Sequence, residues 1–291
     1  MELRRTLLFV PGNNPGMLQN AGILGADSII FDLEDAVAPR EKDAARLLVQ
    51  QALQTVDYNT CETIVRINPI DVSAEKDIAA IVPCRPDLLL IPKVNSAADI
   101  HQVVKWIEDH ERDDRKPVKL IALIETPLGL VNCYAIATAH PRVIAMALGA
   151  EDYTAGLGTS RTKAGQEIFT ARSILVNAAA AAGIQAIDTP FTDVLDEAGL
   201  IDDISFAKSL GFKGKLVINP RHIDAIHEGF SPSEAELKWA HRVVAVIKEA
   251  EEQGTGAISL DGKMIDKPIV DRAERLIQLA QVLGLEGEKS L

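Results

Sequence analysis

Short aliphatic segments recur along the first three quarters of the chain, and stretches with helical spacing separate them. The segments are rich in Leu, Ile and Val without regular polar alternation, which is typical of strands that are buried on both faces. They predict strands at residues 6–10, 28–33, 63–68, 87–94, 119–125, 143–149, 184–188 and 215–219. Eight strand–helix units of this size predict an α/β protein with a (β/α)8 TIM barrel.

An open doubly wound sheet is the main alternative for alternating strands and helices. Such sheets usually have fewer strands, and many carry a G-x-G-x-x-G turn after the first strand. The first turn of this chain reads PGNNPG, residues 11–16, and lacks that spacing. The composition, 47% hydrophobic but only 4% aromatic, also suits parallel strands covered by helices. The barrel is therefore the preferred prediction.

The pattern changes after residue 230, where a long helix, an extended piece and a second helix are predicted. We therefore divide the chain into a barrel over residues 1–230 and a C-terminal helical extension over residues 231–291. This extension is too short to be an independent domain. We expect it to act as a lid that packs on the barrel or on a neighbouring subunit.

Charge and composition exclude several classes of partner. The formal net charge of −12 argues against nucleic acid or an anionic membrane surface as a partner. The apolar run near the N-terminus is too short for a signal peptide or a membrane span. The three cysteines are far apart and form no C-x-x-C pair, so neither a disulfide framework nor a zinc site is indicated. These features predict a cytoplasmic enzyme with free thiols.

Polar residues follow most of the predicted strands, at the end where TIM barrels collect their catalytic groups. They are Asp32, Glu34, Asp35, Arg66, Asn68, Lys93, Glu125, Asp152, Asp188 and Asn219. A single acid at such a position is commonly only a helix N-cap. Several carboxylates at one barrel mouth, however, need positive charge to balance them. Oxygen ligands without clusters of His or Cys favour Mg²⁺, or Mn²⁺, over zinc.

Eight motifs in register identify a family resemblance over nearly the whole chain. They are LLFVPGNNPGML, FDLEDAVAPREKDAAR, VRINP, IPKV, ALIETPLGL, ALGAEDYTAGLG, INPRHID and DGKMIDKPIVDRA. Together they resemble the citrate lyase beta subunits of the HpcH/HpaI aldolase superfamily. The resemblance implies a TIM barrel and a Mg²⁺-dependent lyase. Such an enzyme cleaves a citryl thioester, citryl-CoA or citryl-acyl-carrier protein, to oxaloacetate and an acetyl thioester.

The resemblance also implies roles for individual residues. Glu125 and Asp152 match the family's metal ligands, and Arg66 matches its substrate-binding arginine. Asp32, Glu34 and Asp35 match acids that line the water shell of the metal next to the substrate. Asp266 matches an acid that reaches a neighbouring subunit's site in CoA-lyase relatives, although it could instead cap the helix that begins near Pro268.

The retro-Claisen chemistry explains why these residue types are needed. A guanidinium at position 66 can hold a substrate carboxylate and place positive charge near the enolate oxygen. A crowded carboxylate such as Glu34 or Asp266 could carry the proton. The phosphates of CoA or of a phosphopantetheine arm need basic contacts. Arg5, Arg40 and Lys42, with Lys213 and Lys215, are the candidates, although a solvated surface charge is the preferred interpretation for each of them.

Several alternatives stay open at this point. A malyl-CoA or methylmalyl-CoA lyase would use the same metal site with a smaller keto-acid pocket. A non-catalytic scaffold subunit would have no reason to keep Arg66, Glu125 and Asp152. We further expect a homo-oligomer, and association with the alpha and acyl-carrier gamma subunits of a citrate lyase complex.

Overall fold

The computed structural model describes residues 2–58, 61–111, 117–253 and 259–285. Within them the chain divides into two compact units, residues 4–226 and residues 227–285 together with residues 2–3. The division falls before His227 rather than after residue 230, where the sequence pattern changes. The roles assigned to the two parts stay predictions.

The first unit contains eight parallel strands that close into a barrel in sequential order. The strands are β1 Thr6–Pro11, β2 Ser28–Asp32, β3 Glu62–Arg66, β4 Leu88–Ile91, β5 Lys119–Ile124, β6 Val143–Leu148, β7 Gln185–Asp188 and β8 Gly214–Val217. The predicted TIM barrel is confirmed. The fourth strand is shorter than expected because Pro92 has no amide hydrogen to donate and Lys93 has a left-handed backbone with φ of 52°.

Helices connect the strands and cover the outside of the barrel. They are α1 Pro15–Asn20, α2 Lys42–Thr55, α3 Ala74–Ile81, α4 Ala97–His110, α5 Pro127–Val131, α6 Cys133–Ala137, α7 Ala150–Leu157, α8 Gln166–Ala182 and α9 Glu197–Leu210. Helix α10, Ile223–Phe230, follows β8 and contains the boundary between the two units. As predicted, α8 ends at Gly183, whose φ of 71° provides a left-handed C-cap.

The barrel interior is filled by alternate residues of every strand. Most strands contribute Leu or Ile to this interior, whereas β6 contributes Ala145 and Ala147. Side chains in a strand alternate between faces, so the neighbours of these residues point outward to the helices. The same alternation decides which polar residues face the mouth.

The barrel closes where β8 pairs with β1, with Thr6 opposite Lys215. At this seam a Cβ on Gly214 would collide with the carbonyl oxygens of Arg4 and Arg5. The strands can therefore approach only because residue 214 has no side chain. Glycine at the start of β8 is thus a requirement of barrel closure.

A buried ion cluster lies outside the barrel wall, between β7, β8 and the helices α8 and α9. Arg172 donates to both carboxylate oxygens of Asp188 at 2.8 Å and to Asp203 at 2.7 Å. Lys215 is fully buried, and its ammonium contacts Asp188 and lies 2.7 Å from Asp203. The suggestion that Lys215 contacts carrier phosphates is therefore wrong, because its charge is neutralised inside the protein.

Replacing Lys215 by Met is expected to reduce the free energy of unfolding by about 3 kcal/mol, because it leaves buried carboxylates with fewer cations. Urea denaturation measures the effect. The matched control is Lys213→Met, since Lys213 is exposed two residues earlier on the same segment. Equal stability of the two variants would contradict a structural role for the cluster.

The second unit packs two long helices around a small hairpin. Helix α11 covers Glu234–Gln253, strands β9 Ser259–Leu260 and β10 Lys263–Met264 are antiparallel, and helix α12 covers Lys267–Val282. Its apolar centre contains Ala240, Val243, Leu260, Ile265 and Ala273. The predicted helix stop at Gly254 lies outside the described residues. Among the helices that the structure does describe, none has both the length and the apolar content that a bilayer crossing requires.

Candidate active site

Polar side chains extend the inward-facing rows of the barrel at the carboxyl ends of the strands. Five residues each follow, by two positions, the last interior residue of a strand and so face the same way as it does. They are Asp32, Arg66, Glu125, Gly149 and Thr189. The four with polar side chains are all buried. Because parallel strands present these ends at one mouth of the barrel, the alternation alone brings the polar groups together.

Arg66 is the central cation of this mouth. Its Nε lies 2.7 Å from Asp32 Oδ1 and its Nη2 lies 2.6 Å from Asp32 Oδ2, which is a bidentate pair. Its Nη1 lies 3.2 Å from Asp35 and 3.0 Å from Glu34, and its guanidinium stacks 4.8 Å from the ring centre of Phe9. Burial alone would lower the pKa of Arg66, but Asp32, Glu34 and Asp35 together outweigh it and raise that pKa. The guanidinium therefore stays charged.

Asp32 also shapes the turn that carries the other two acids. Its carboxylate accepts the backbone N–H groups of Glu34 at 2.8 Å and Ala36 at 3.0 Å. Lys42 donates from its ammonium to the carbonyl oxygens of Leu33 and Glu34. The dense run of acids after β2 is thus folded around one carboxylate, and Lys42 supports the turn through its backbone.

Glu34 is buried, and each of its carboxylate oxygens lies beside a cation. Oε2 is 3.0 Å from Arg66 and Oε1 is 3.2 Å from Lys93, yet neither oxygen accepts a well-aligned hydrogen bond. Burial raises the pKa of Glu34, against the opposing charge of Arg66. A buried carboxylate with open acceptor capacity fits a site that is completed by a bound ligand or ion.

Glu125 follows β5 and is also buried. Its Oε1 accepts the backbone N–H of Lys93 at 2.8 Å. Burial, and then the charge of Glu34, raises the pKa of Glu125 to about 8. The side chain lies against Gly149, where an added Cβ would come within 2.6 Å of the Cβ of Glu125. The Glu125 side chain therefore packs against the backbone at the end of β6.

Asp152 lies in the first turn of α7, directly after Gly149, and its side chain is about half exposed. Its Oδ2 is 3.5 Å from the ammonium of Lys93. Glu125 and Asp152 are the two predicted metal ligands, and Lys93 links them through its backbone N–H and its side chain. No group of three metal-ligating side chains is preformed among the described residues. Two carboxylates nevertheless fit Mg²⁺, which commonly keeps several waters.

Replacing Gly149 by Ala is expected to weaken Mn²⁺ binding by roughly tenfold or more, because the new methyl group displaces the Glu125 carboxylate. Calorimetric titration with Mn²⁺ measures the effect. Gly16→Ala serves as the control, since a Cβ at Gly16 meets nothing closer than 3.6 Å. Unchanged affinity in the Gly149 variant would show that Glu125 does not take part in metal binding.

The remaining predicted residues lie in different places. Arg5 precedes β1 and pairs with Asp27, which precedes β2, so it lies at the opposite end of the barrel from Arg66. Its assignment to carrier binding stays a prediction, and its charge is paired with Asp27 in this structure. Arg40 is exposed in the turn before α2. Asp266 caps α12, accepting the N–H of Ile269 at 3.3 Å.

The sequence pattern assigns no role to two residues of the mouth. Lys93 was noted at the end of the fourth strand, but its left-handed backbone and its position between two acids are tertiary features. Thr189 faces inward, and its hydroxyl accepts the backbone N–H of Ala150 at 3.3 Å, at the start of α7. Counting by two from Ile187 would have identified Thr189 as an inward residue.

The closed barrel and its mouth of carboxylates around one arginine define a TIM-barrel enzyme with a site suited to a hard divalent cation and an anionic substrate. Residues 5–220 match the HpcH/HpaI aldolase/citrate lyase family. The chain belongs to this family and is a lyase.

Two relatives and one solved structure give the degree of similarity. The citrate lyase subunit beta of Leuconostoc mesenteroides subsp. cremoris is 49% identical, over 96% of this chain and 94% of the relative. The (3S)-malyl-CoA thioesterase of Cereibacter sphaeroides is 37% identical, over 97% and 96%. The crystal structure of CitE from Mycobacterium tuberculosis with magnesium, acetoacetate and coenzyme A has a TM-score of 0.80 at 32% identity, and the match covers 96% of this chain and 98% of that one.

Proposed function

We propose that the chain cleaves a citryl thioester to oxaloacetate and an acetyl thioester by a retro-Claisen reaction. The observation that carries the proposal is the convergence of Arg66, Glu125 and Asp152 at the barrel mouth. The higher identity to a citrate lyase beta subunit than to a malyl-CoA thioesterase supports citryl over malyl thioesters as substrate.

Mg²⁺, or Mn²⁺, is the cofactor in this proposal, and Glu125 and Asp152 would hold it. The open oxygens of buried Glu34 and the two-carboxylate donor set fit such an ion. When bound, the ion supplies positive charge that acidifies the substrate alcohol and polarises the new ketone. Magnesium in the related M. tuberculosis structure supports this assignment.

Arg66 would hold the substrate carboxylate through the part of its guanidinium that Asp32 leaves open. An arginine has five N–H donors. The pair with Asp32 uses one on Nε and one on Nη2, and Asp35 takes one on Nη1. One hydrogen remains on Nη2, and the second hydrogen of Nη1 lies on the nitrogen that is 3.0 Å from Glu34 Oε2. A substrate carboxylate can therefore bind Nη2 and would share Nη1 with Glu34. The Asp32 pair fixes the plane of the guanidinium, which orients this second contact.

Glu34 is the proposed proton carrier. The alcohol proton must leave as the carbon–carbon bond breaks, and a proton must reach the carbon of the thioester enolate to give the acetyl product. A buried carboxylate whose pKa is raised can accept the first proton and return it in the second step. Both transfers then balance without an external acid.

The carrier and partners extend the proposal. The thioester is carried by CoA or by the phosphopantetheine arm of an acyl-carrier protein, with Arg40 as the remaining exposed basic candidate near α2. Lys42 would act only through the turn that it supports. Coenzyme A in the M. tuberculosis structure supports the first carrier. We keep a homo-oligomer, association with alpha and gamma subunits, and a cytoplasmic location as parts of this proposal.

Purified protein assayed with citryl-CoA and malyl-CoA, with Mg²⁺ and with EDTA, tests the proposed function. We expect Mg²⁺-dependent release of oxaloacetate from citryl-CoA, measured through malate dehydrogenase. Faster cleavage of malyl-CoA would favour the runner-up substrate. No cleavage of either thioester, in protein that binds Mn²⁺, would favour the scaffold alternative.

Asp266 has a separate test. We propose that it approaches a neighbouring subunit's site, with its N-cap role as the competing explanation. Mixing inactive Asp266→Asn protein with inactive Glu125→Gln protein should restore part of the activity if sites are shared between subunits. No recovery after subunit exchange has been demonstrated with labelled protein would contradict sharing.

A further inference from the structure

Lys93 has an unusual backbone for a lysine. Its φ of 52° lies in the left-handed region, which costs free energy for a residue with a Cβ. Its N–H donates to Glu125 Oε1 at 2.8 Å, and its carbonyl accepts from the side chain of Asn95 at 3.0 Å. Asn95 is in turn held by Thr126 and Asn132. Neighbouring elements therefore hold Lys93 in a conformation that its sequence alone would not favour.

The consequence of this conformation is the position of the Lys93 ammonium. It lies 3.2 Å from Oε1 of buried Glu34 and 3.5 Å from Oδ2 of half-exposed Asp152. One residue thus donates through its backbone to one proposed metal ligand and contacts the other through its side chain.

The contact between Lys93 and these acids matters because the mouth contains more carboxylates than cations. The mouth gathers five carboxylates: Asp32, Glu34, Asp35, Glu125 and Asp152. Among the described side chains, Arg66 and Lys93 are the cations that form ion pairs with members of this set. Arg66 is fixed by its bidentate pair, whereas a lysine has a compact charge on a flexible stem. Lys93 is therefore the cation that can move.

We propose that Lys93 is a positioning residue whose ammonium pairs with Asp152, one of the two proposed metal ligands, before the metal arrives and withdraws from it when the metal binds. The inference rests on the proposed function, since it takes Glu125 and Asp152 as the metal ligands. In the metal-free protein the ammonium keeps Asp152 and Glu34 together. With a divalent cation held by Glu125 and Asp152, the ammonium of Lys93 would be repelled from Asp152 and would stay with Glu34 or contact an anionic substrate.

The proposal makes metal affinity and turnover change in opposite directions. Lys93→Met removes a positive charge that competes with the ion, so we expect Mn²⁺ to bind roughly tenfold more tightly. Turnover of citryl thioester should fall, because Glu34 loses one of its two cations. Lys93→Arg keeps the charge and should bind Mn²⁺ within about threefold of the wild-type protein. A side chain that only stabilised the loop would weaken metal binding when removed.

Electron paramagnetic resonance of free Mn²⁺ measures the binding of wild-type, Lys93→Met, Lys93→Gln and Lys93→Arg proteins. The Gln variant is a second neutral replacement in case the Met variant does not fold, and circular dichroism checks both. Equal or weaker Mn²⁺ binding by the neutral variants, with normal wild-type binding, overturns the inference alone. Absence of Mn²⁺ binding by the wild-type protein overturns the proposed metal site and the inference together.

Discussion

Replacing Glu125 by Gln, or Asp152 by Asn, is expected to lower kcat for citryl-CoA by roughly 1,000-fold or more. A bound metal supplies several kcal/mol of transition-state stabilisation, and each 1.4 kcal/mol is a factor of ten in rate. Both changes keep the size of the side chain and remove its charge. A coupled assay of oxaloacetate release measures kcat, and Mn²⁺ titration shows whether the loss follows metal binding.

Whether the Glu125→Gln variant folds can be checked by measuring how its free energy of unfolding depends on pH, in EDTA. The pKa of buried Glu125 is raised to about 8, above the usual value of an unfolded glutamate. Its contribution to stability is therefore fully present below the unfolded pKa and is lost as pH rises through about 8. Glu125→Gln should remove this loss and be at least as stable as wild type at pH 8. Wild-type turnover in the Glu125→Gln variant would show that other residues bind the metal.

Replacing Arg66 by Lys is expected to reduce kcat/KM by roughly 100-fold or more, because a lysine keeps one charge but cannot bind Asp32 and a substrate carboxylate together. The reverse reaction, with oxaloacetate as the varied substrate, measures the effect most directly. The loss should appear in both kcat and KM, since the residue binds the substrate and stabilises developing charge.

The matched control for Arg66 is Arg142→Lys. Arg142 forms a similar pair with Glu111, with distances of 3.1 and 2.6 Å, but it precedes β6 and so lies at the amino-terminal end of the strands. It should lose stability without a specific loss of kcat/KM. Equal kinetic losses in the two variants would indicate a general effect of removing a paired guanidinium.

The barrel could be predicted from the sequence because its strands are buried on both faces and therefore read as continuous aliphatic runs. The candidate site was partly predictable for the same reason. Polar residues at the ends of such runs stand out, and the family motifs selected Arg66, Glu125 and Asp152 among them. The roles of these residues stay predictions that the experiments above address.

Other positions depended on information that a linear pattern does not carry. Asp188 ends β7 and Lys215 lies opposite it in β8, but both face outward and neutralise each other in the buried ion cluster. Arg5 resembles a free cation until its pairing with Asp27 is seen. Lys93 takes its role from a backbone conformation that Glu125 and Asn95 impose from elsewhere in the chain. Such effects arise between elements, so they appear only once the chain is folded.

The inward-facing side chains of β6 are smaller than those of the other strands, so the barrel interior is filled unevenly. Ala145, Ala147 and then Gly149 give this strand almost no volume on its inner face, while its neighbours contribute Leu and Ile. Glu125 reaches across that shallow side. A gain of one or two methyl groups on β6 would therefore change where the carboxylate sits before it disturbed the aliphatic layers. Natural or designed variation on β6 is thus a route by which a barrel of this family can adjust the depth of its metal pocket without rebuilding a catalytic residue.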